Sequence, residues 1–409
     1  MAQLQLDFVR AQFPAFQEPS LRGHAHFENA GGSFACRYVI WRLHRFYRER
    51  RVQPYGVFPA SERAGEEMDE ARRRMALMLG VEPEEVVFGP STAQNVHGLA
   101  QAFRDWLAPG EAIVVSEQDE DAIAGPWRRL ADAGVEVREW RMDPVSGQLG
   151  PETLEPLLAD GRVRLVCFPH CSSILGEIND LPRVAAMAHR AGAHVCVDGT
   201  GYAPHGLPDA GRLGADIYLF STDMTYGPHQ GVMVLRRGVA ETLPAQAHGG
   251  DERPLHLRFD SAGQDHAQVA AVAGIADYVD ALYHRHQKAG RDAAGRAEVI
   301  RRMMRAHERR LLAPLLHYLA DRNDVRLLGP DDARRRVPTV SLLLDRPGTS
   351  VARDLAGLGI MAGGGDFRAR RALQALGVPP AHGVLRLSFV HYTTQAEIDR
   401  LIAALHQVL

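Results

Sequence analysis

Short apolar runs recur through the middle of the chain: 112–116 (AIVVS), 164–168 (RLVCF), 194–198 (HVCVD), 216–220 (DIYLF) and 231–235 (GVMVL). They are rich in β-branched residues and nearly free of polar positions, the pattern of strands buried on both faces. Between them lie segments of helical spacing, such as 182–191 (PRVAAMAHRA), which a glycine closes. Strand–helix alternation of this kind predicts an α/β fold with a mostly parallel sheet flanked by helices. Beyond residue 290 the pattern changes. Segments 338–344 (PTVSLLL) and 384–389 (VLRLSF) read as strands, with helices over 350–358 and 394–405 covering them. A helical stretch rich in Arg and His, 289–319, joins the two parts. The expected organisation is a large α/β domain over 26–290 and a smaller α+β domain built from 1–25 and 291–409.

A chain of 409 residues buries a large core without help from disulfides or metal. The net charge of −3 gives no basic field for nucleic acid, and no apolar run reaches membrane-spanning length. The first residues, MAQLQLDFVRAQFPAF, lack a basic segment followed by an apolar one, so no signal peptide is read there and a cytoplasmic setting with reduced thiols is expected. Among the 47 basic residues there is a single lysine, Lys288, in a polar helical segment. Lysine is the side chain that forms Schiff bases, so the chain has one to offer. Cys167 and Cys196 fall inside predicted strands as core residues. Cys171 follows His170 at a strand end, where exposure is conceivable, and Cys167, His170 and Cys171 do not have a metal-binding spacing. No metal is expected.

Ligands of open α/β sheets bind at the carboxyl ends of the strands. The residues found there, in order, are FENAGGS (27–33), GPSTA (89–93), DEDAIAGPW (119–127), VDG (197–199) with YAPH (202–205), STDMTYGPH (221–229) and RLSFVHYTT (386–394). Together they resemble the motifs of the class V aminotransferase family, and within it the cysteine desulfurase-like proteins, over nearly the whole chain. The resemblance implies the fold of pyridoxal-phosphate (PLP) transferases of fold type I, an amino-acid-like small-molecule substrate and a homodimer. It implies a cofactor cradle from Ser91, Thr92 and Ala93 at a helix N-terminus, with Thr200 and Ser221 beside the cofactor. It also implies a pyridine-nitrogen partner in Asp198, and a substrate site using Asn29, Arg386 and His391.

The departures carry as much information. Met224 stands where the family has its Schiff-base lysine. Glu120 stands where a histidine would stack on the cofactor ring, and a carboxylate has no stacking face. Asp223 precedes Met224, and Ser173 replaces an asparagine. The stretch 361–366 (MAGGGD), where a desulfurase would carry its nucleophilic cysteine, has none; its glycines suggest a nest or a mobile loop. Three readings follow. The first is an enzyme that has given up covalent PLP, using Glu120 or Asp223 beside Asp198 for acid–base work on an amino-acid-like molecule. The second holds PLP or pyridoxamine phosphate non-covalently or as a preformed imine. The third is a non-catalytic partner subunit or pseudoenzyme.

Overall fold

The computed structural model describes residues 3–260 and 263–409. Seven strands form the central sheet: β1 (Val86–Gly89), β2 (Ala112–Ser116), β3 (Glu136–Trp140), β4 (Val163–Pro169), β5 (His194–Asp198), β6 (Ile217–Ser221) and β7 (Gly231–Leu235). Their spatial order is β1-β7-β6-β5-β4-β2-β3. Strands β3, β2, β4, β5 and β6 run parallel, so their carboxyl ends share one edge, while β7 pairs antiparallel with both β6 and β1. Strands β2, β6 and β7 are buried at every position, as their apolar sequences require.

Seven helices matter here: α1 (Arg37–Glu49), α2 (Pro59–Leu79), α3 (Thr92–Trp106), α4 (Asp121–Arg128), α5 (His266–His286), α6 (Ala293–Ala320) and α7 (Gln395–Val408). A second sheet is built from β8 (Val325–Leu328), β9 (Thr339–Leu344), β10 (Gly363–Gly365) and β11 (Val384–Ser388), in the order β10-β11-β9-β8, all antiparallel. Helix α6 joins the two parts. Its first half, with Ile300 and Met304, packs into the main core, and its second half, with Leu311 and Leu315, into the core of the small sheet.

Two expectations are corrected. The N-terminal segment does not belong to the small domain alone: although Arg10 pairs with Glu397 of α7 at 3.0 Å and Ala25 and Phe27 reach the small core, Val9 and Phe13 sit in the main core. Phe13 is drawn there by edge-on contacts with Tyr226, Tyr278 and Tyr392. The glycines 363–365 form neither a nest nor a loop but β10, paired with β11. Small size is what admits them, because a Cβ on Gly364 would come within 2.4 Å of the Gly348 backbone.

Helices α1 and α5 cross at very short range. A Cβ on Gly274 would stand 2.5 Å from the Val39 backbone nitrogen. Gly98, within α3, has no atom within 4 Å of its Cβ position. Gly274→Ala is therefore expected to lower unfolding free energy by about 1–3 kcal/mol through overpacking. Gly98→Ala should raise it by up to about 1 kcal/mol from helix propensity alone. Chemical denaturation of the two variants checks both.

Candidate active site

The carboxyl ends of β2, β4, β5 and β6 meet at a narrow cleft. Gln118 and Glu120 follow β2, Cys171 and Ser173 follow β4, Asp198 ends β5 with Thr200 and His205 after it, and Met224 lies on the turn after β6. The small domain closes the far side with Thr339, Ser388 and Phe389, and Asn29 and Ala30 come from the N-terminal segment.

Acidic groups dominate the sheet side. Asp198 Oδ1 accepts the Thr200 N–H at 2.9 Å, a turn that a strand-end aspartate readily forms. Burial raises its pKa, against the stabilising contacts of Thr200. Glu120 occupies the N-cap of α4 without capping it, which leaves its carboxylate for the cleft. Burial and then the charge of Asp198 push Glu120 above the ordinary carboxylate range, while Arg386 and a hydrogen bond from Ser173 pull it down. Behind them Asp119 is buried and accepts the Ser116 hydroxyl at 2.6 Å. Its pKa is pushed up to about 7, by burial first and the charges of Asp198 and Glu120 after it. Burial thus raises all three carboxyls, and the charge of Asp198 adds to the rise at Glu120 and Asp119.

The opposite polarity is neutral or already used. His170 stacks on Tyr202 with ring centroids 3.8 Å apart, and burial takes its pKa down to about 3. His205 turns Nδ1 toward Glu308, 3.1 Å away on α6, and both are buried. Arg386, on β11, places Nη2 2.7 Å from Glu28 Oε1. The Phe367 ring covers its guanidinium at 3.8 Å.

The turn bearing Met224 is fastened by its neighbours. The Thr222 carbonyl accepts the N–H groups of Thr225 and Gly227, and the Thr225 hydroxyl donates to the Ser221 carbonyl at 3.0 Å. The Tyr226 hydroxyl reaches the Pro204 carbonyl.

Several expected site residues have other employment. His391 is fully buried, bonded to the Tyr278 hydroxyl and packed against Phe13, Tyr226 and Tyr392, and it takes no part in the cleft. Asp223 does not line the cleft; it accepts from Ser221 and lies 3.1 Å from His229 Nδ1. Asn29 lines it, but its amide donates to the Ser388 carbonyl at 3.1 Å and accepts from the Tyr392 hydroxyl. Ser91 caps α3 by accepting the Gln94 N–H at 3.1 Å, and neither it, Thr92, Ala93 nor Ser221 lines the cleft. All four cysteines are buried; Cys171 donates to the Gly176 carbonyl at 3.2 Å, and burial pushes its pKa up to about 12. Lys288 is exposed, just past the end of α5.

A cleft at the carboxyl ends of a mostly parallel sheet, closed by a small antiparallel domain, is the arrangement of fold type I transferases. This chain belongs to the class V aminotransferase family, whose model matches residues 25–401. It is 29% identical to the aminotransferase-like protein FGM3 of Gibberella zeae over 99% of this chain and 98% of that one. It is 31% identical to a cysteine desulfurase of Dickeya dadantii over 98% and 96%. The apo structure of a cysteine desulfurase from Thermococcus onnurineus superposes with a TM-score of 0.85 at 21% identity, over 100% of this chain and 98% of that one.

The raised Asp119 pKa has a consequence for stability. The folded state holds this proton up to about pH 7, whereas an unfolded aspartate releases it near about pH 4. Asp119 therefore costs the fold nothing below about pH 4, and stability declines as pH rises from there to about 7. Asp119→Asn keeps the acceptor for Ser116 and removes the decline. Denaturation midpoints of variant and parent should coincide more closely at pH 4 than at pH 8, with the variant ahead at pH 8.

Proposed function

We propose that this protein is an enzyme that binds a small amine-bearing molecule and moves protons on it without a covalently held PLP. The observation that carries this reading is the sheltered Glu120 beside Asp198 in the cleft. The strand-end residues do not fit a covalently held cofactor. The Met224 thioether cannot condense with an aldehyde. Glu120 offers no flat face to a ring, its carboxylate opposes an anionic ligand, and the one lysine is exposed elsewhere. The stretch 361–366 supplies no cysteine and the four cysteines are buried, which argues against desulfurase chemistry.

The residues present suit a different division of labour. Asp198, ionised first, draws an ammonium into the cleft. Its charge holds a proton on Glu120: two unit charges ~4 Å apart repel by about 4 kcal/mol at an effective dielectric of 20. Paired carboxylates with separated pKa values supply one proton donor and one anion at neutral pH. Entry of the ammonium offsets the charge of Asp198, lowers the Glu120 pKa, and so favours proton transfer once the ligand is bound.

The experiment is a turnover screen by NMR over a panel of small amines, on protein whose absorbance is recorded as purified. The expected result is turnover without an imine band and a loss of about 10²–10⁴-fold in Glu120→Gln. Undiminished activity in Glu120→Gln, or an imine band on adding PLP that borohydride fixes to the chain, would overturn the proposal.

A second copy of the chain is proposed to cover α1, α2 and the loop between them. Trp41, Tyr47, Tyr55, Val57 and Phe58 are exposed there, Val57 at 96%. Apolar side chains gathered on one surface mark an interface. Sedimentation equilibrium should give twice the chain mass, and Trp41→Glu with Val57→Glu should reduce it to one.

A further inference from the structure

The acidic wall of the cleft poses a question of charge balance. Asp198 and Glu120 line it, with Asp119 buried behind them, and a ligand bearing a carboxylate must find a cation there. Arg386 is the buried cation whose charge reaches Glu120. Arg368 also reaches it, but from an exposed position where water screens its charge. Arg386 is engaged, with Nη2 2.7 Å from Glu28 Oε1 and its side chain only 4% exposed, and neither it nor Glu28 lines the cleft as it stands.

The seat of Glu28 is built for a carboxylate. A Cβ on Gly31 would come within 2.9 Å of Glu28 Oε1, and one on Gly363 within 2.5 Å of Oε2. Two glycines from distant parts of the chain therefore make the space that the carboxylate fills. Phe367 closes the other side of the guanidinium with its backbone in the left-handed region, φ 49°, an arrangement that a phenylalanine adopts only when its surroundings hold it. Glu28 Oε2 is buried and accepts no hydrogen bond from the described residues.

We propose that Glu28 is a built-in counter-ion that takes up the carboxylate-binding capacity of Arg386, so that the cleft selects amines lacking an α-carboxylate. The inference rests on the amine-binding role proposed for Asp198 and Glu120. A free ammonium gains from Asp198. An α-amino acid brings a second charge of the wrong sign, and it must either displace Glu28 or lie unpaired beside two carboxylates.

Titration calorimetry with matched pairs tests this: putrescine against ornithine, agmatine against arginine, ethanolamine against serine. The expected result for the unaltered protein is tighter binding of the decarboxylated member of a pair by about tenfold or more, equivalent to about 1.4 kcal/mol. Glu28→Ala frees Arg386 and should reverse that order. Glu28→Gln keeps a hydrogen bond to Arg386 without the charge and should narrow the difference. If Glu28→Ala does not melt cooperatively, the near-isosteric Glu28→Gln decides. Equal or tighter binding of the amino acid by the unaltered protein overturns this inference and leaves the amine site standing, as does an unchanged preference in the folded Glu28 variants. If neither member of any pair binds and Glu120→Gln alters nothing, the amine site itself fails, and this inference fails with it.

Discussion

Charge set at the ends of buried parallel strands has few places to go. The strands β2, β4, β5 and β6 are mostly apolar and run parallel, so the polar residues at their carboxyl ends gather at one edge. In this chain many of those residues are acids. Asp198 ends β5, and Gln118, Asp119 and Glu120 follow β2. Desolvation then dictates the protonation pattern. Burial raises the pKa of each carboxyl, and their mutual repulsion adds to the rise. The chemistry available to the cleft follows from this constraint more than from any single side chain.

The same constraint explains how the opposite wall is arranged. A buried arginine left alone near the cleft would be costly. Glu28 and Arg386 pair through one contact at 2.7 Å. In doing so they tie the N-terminal segment to the small domain's sheet. His205 and Glu308 make a comparable link between the loop after β5 and helix α6. Two ion pairs near the cleft thus join different parts of the fold, and one of their members, His205, lines it.

Much of this was readable in the sequence. Strands β2, β5 and β7 match their predicted bounds because uninterrupted β-branched runs leave little ambiguity. Strand β3 went unread because EVREW, at the sheet edge, mixes charge with apolar residues. Strand β10 went unread because three glycines have no strand propensity, and only tight packing against Gly348 explains them. In the site, Asp198, Glu120 and Met224 were legible as residues directly after strands. Asp119 was passed over because nothing in a loop tells which of two adjacent acids turns inward. The buried Ser116 hydroxyl that receives it was the available clue. The partnership of Arg386 with Glu28 spans 358 positions, beyond any local pattern. His391 was misassigned because its aromatic neighbours meet only in three dimensions.

The turn after β6 has one more consequence. Its shape is kept by the hydroxyls of Thr222 and Thr225, the N–H of Gly227 and the anchored Tyr226 ring. None of these bonds involves the side chain at 224. The position behaves as a socket whose fitting bears no weight. Such a socket would accept a different side chain with the hydrogen bonds around it undisturbed. The conformation of the turn is thereby decoupled from the identity of the side chain it presents to the cleft.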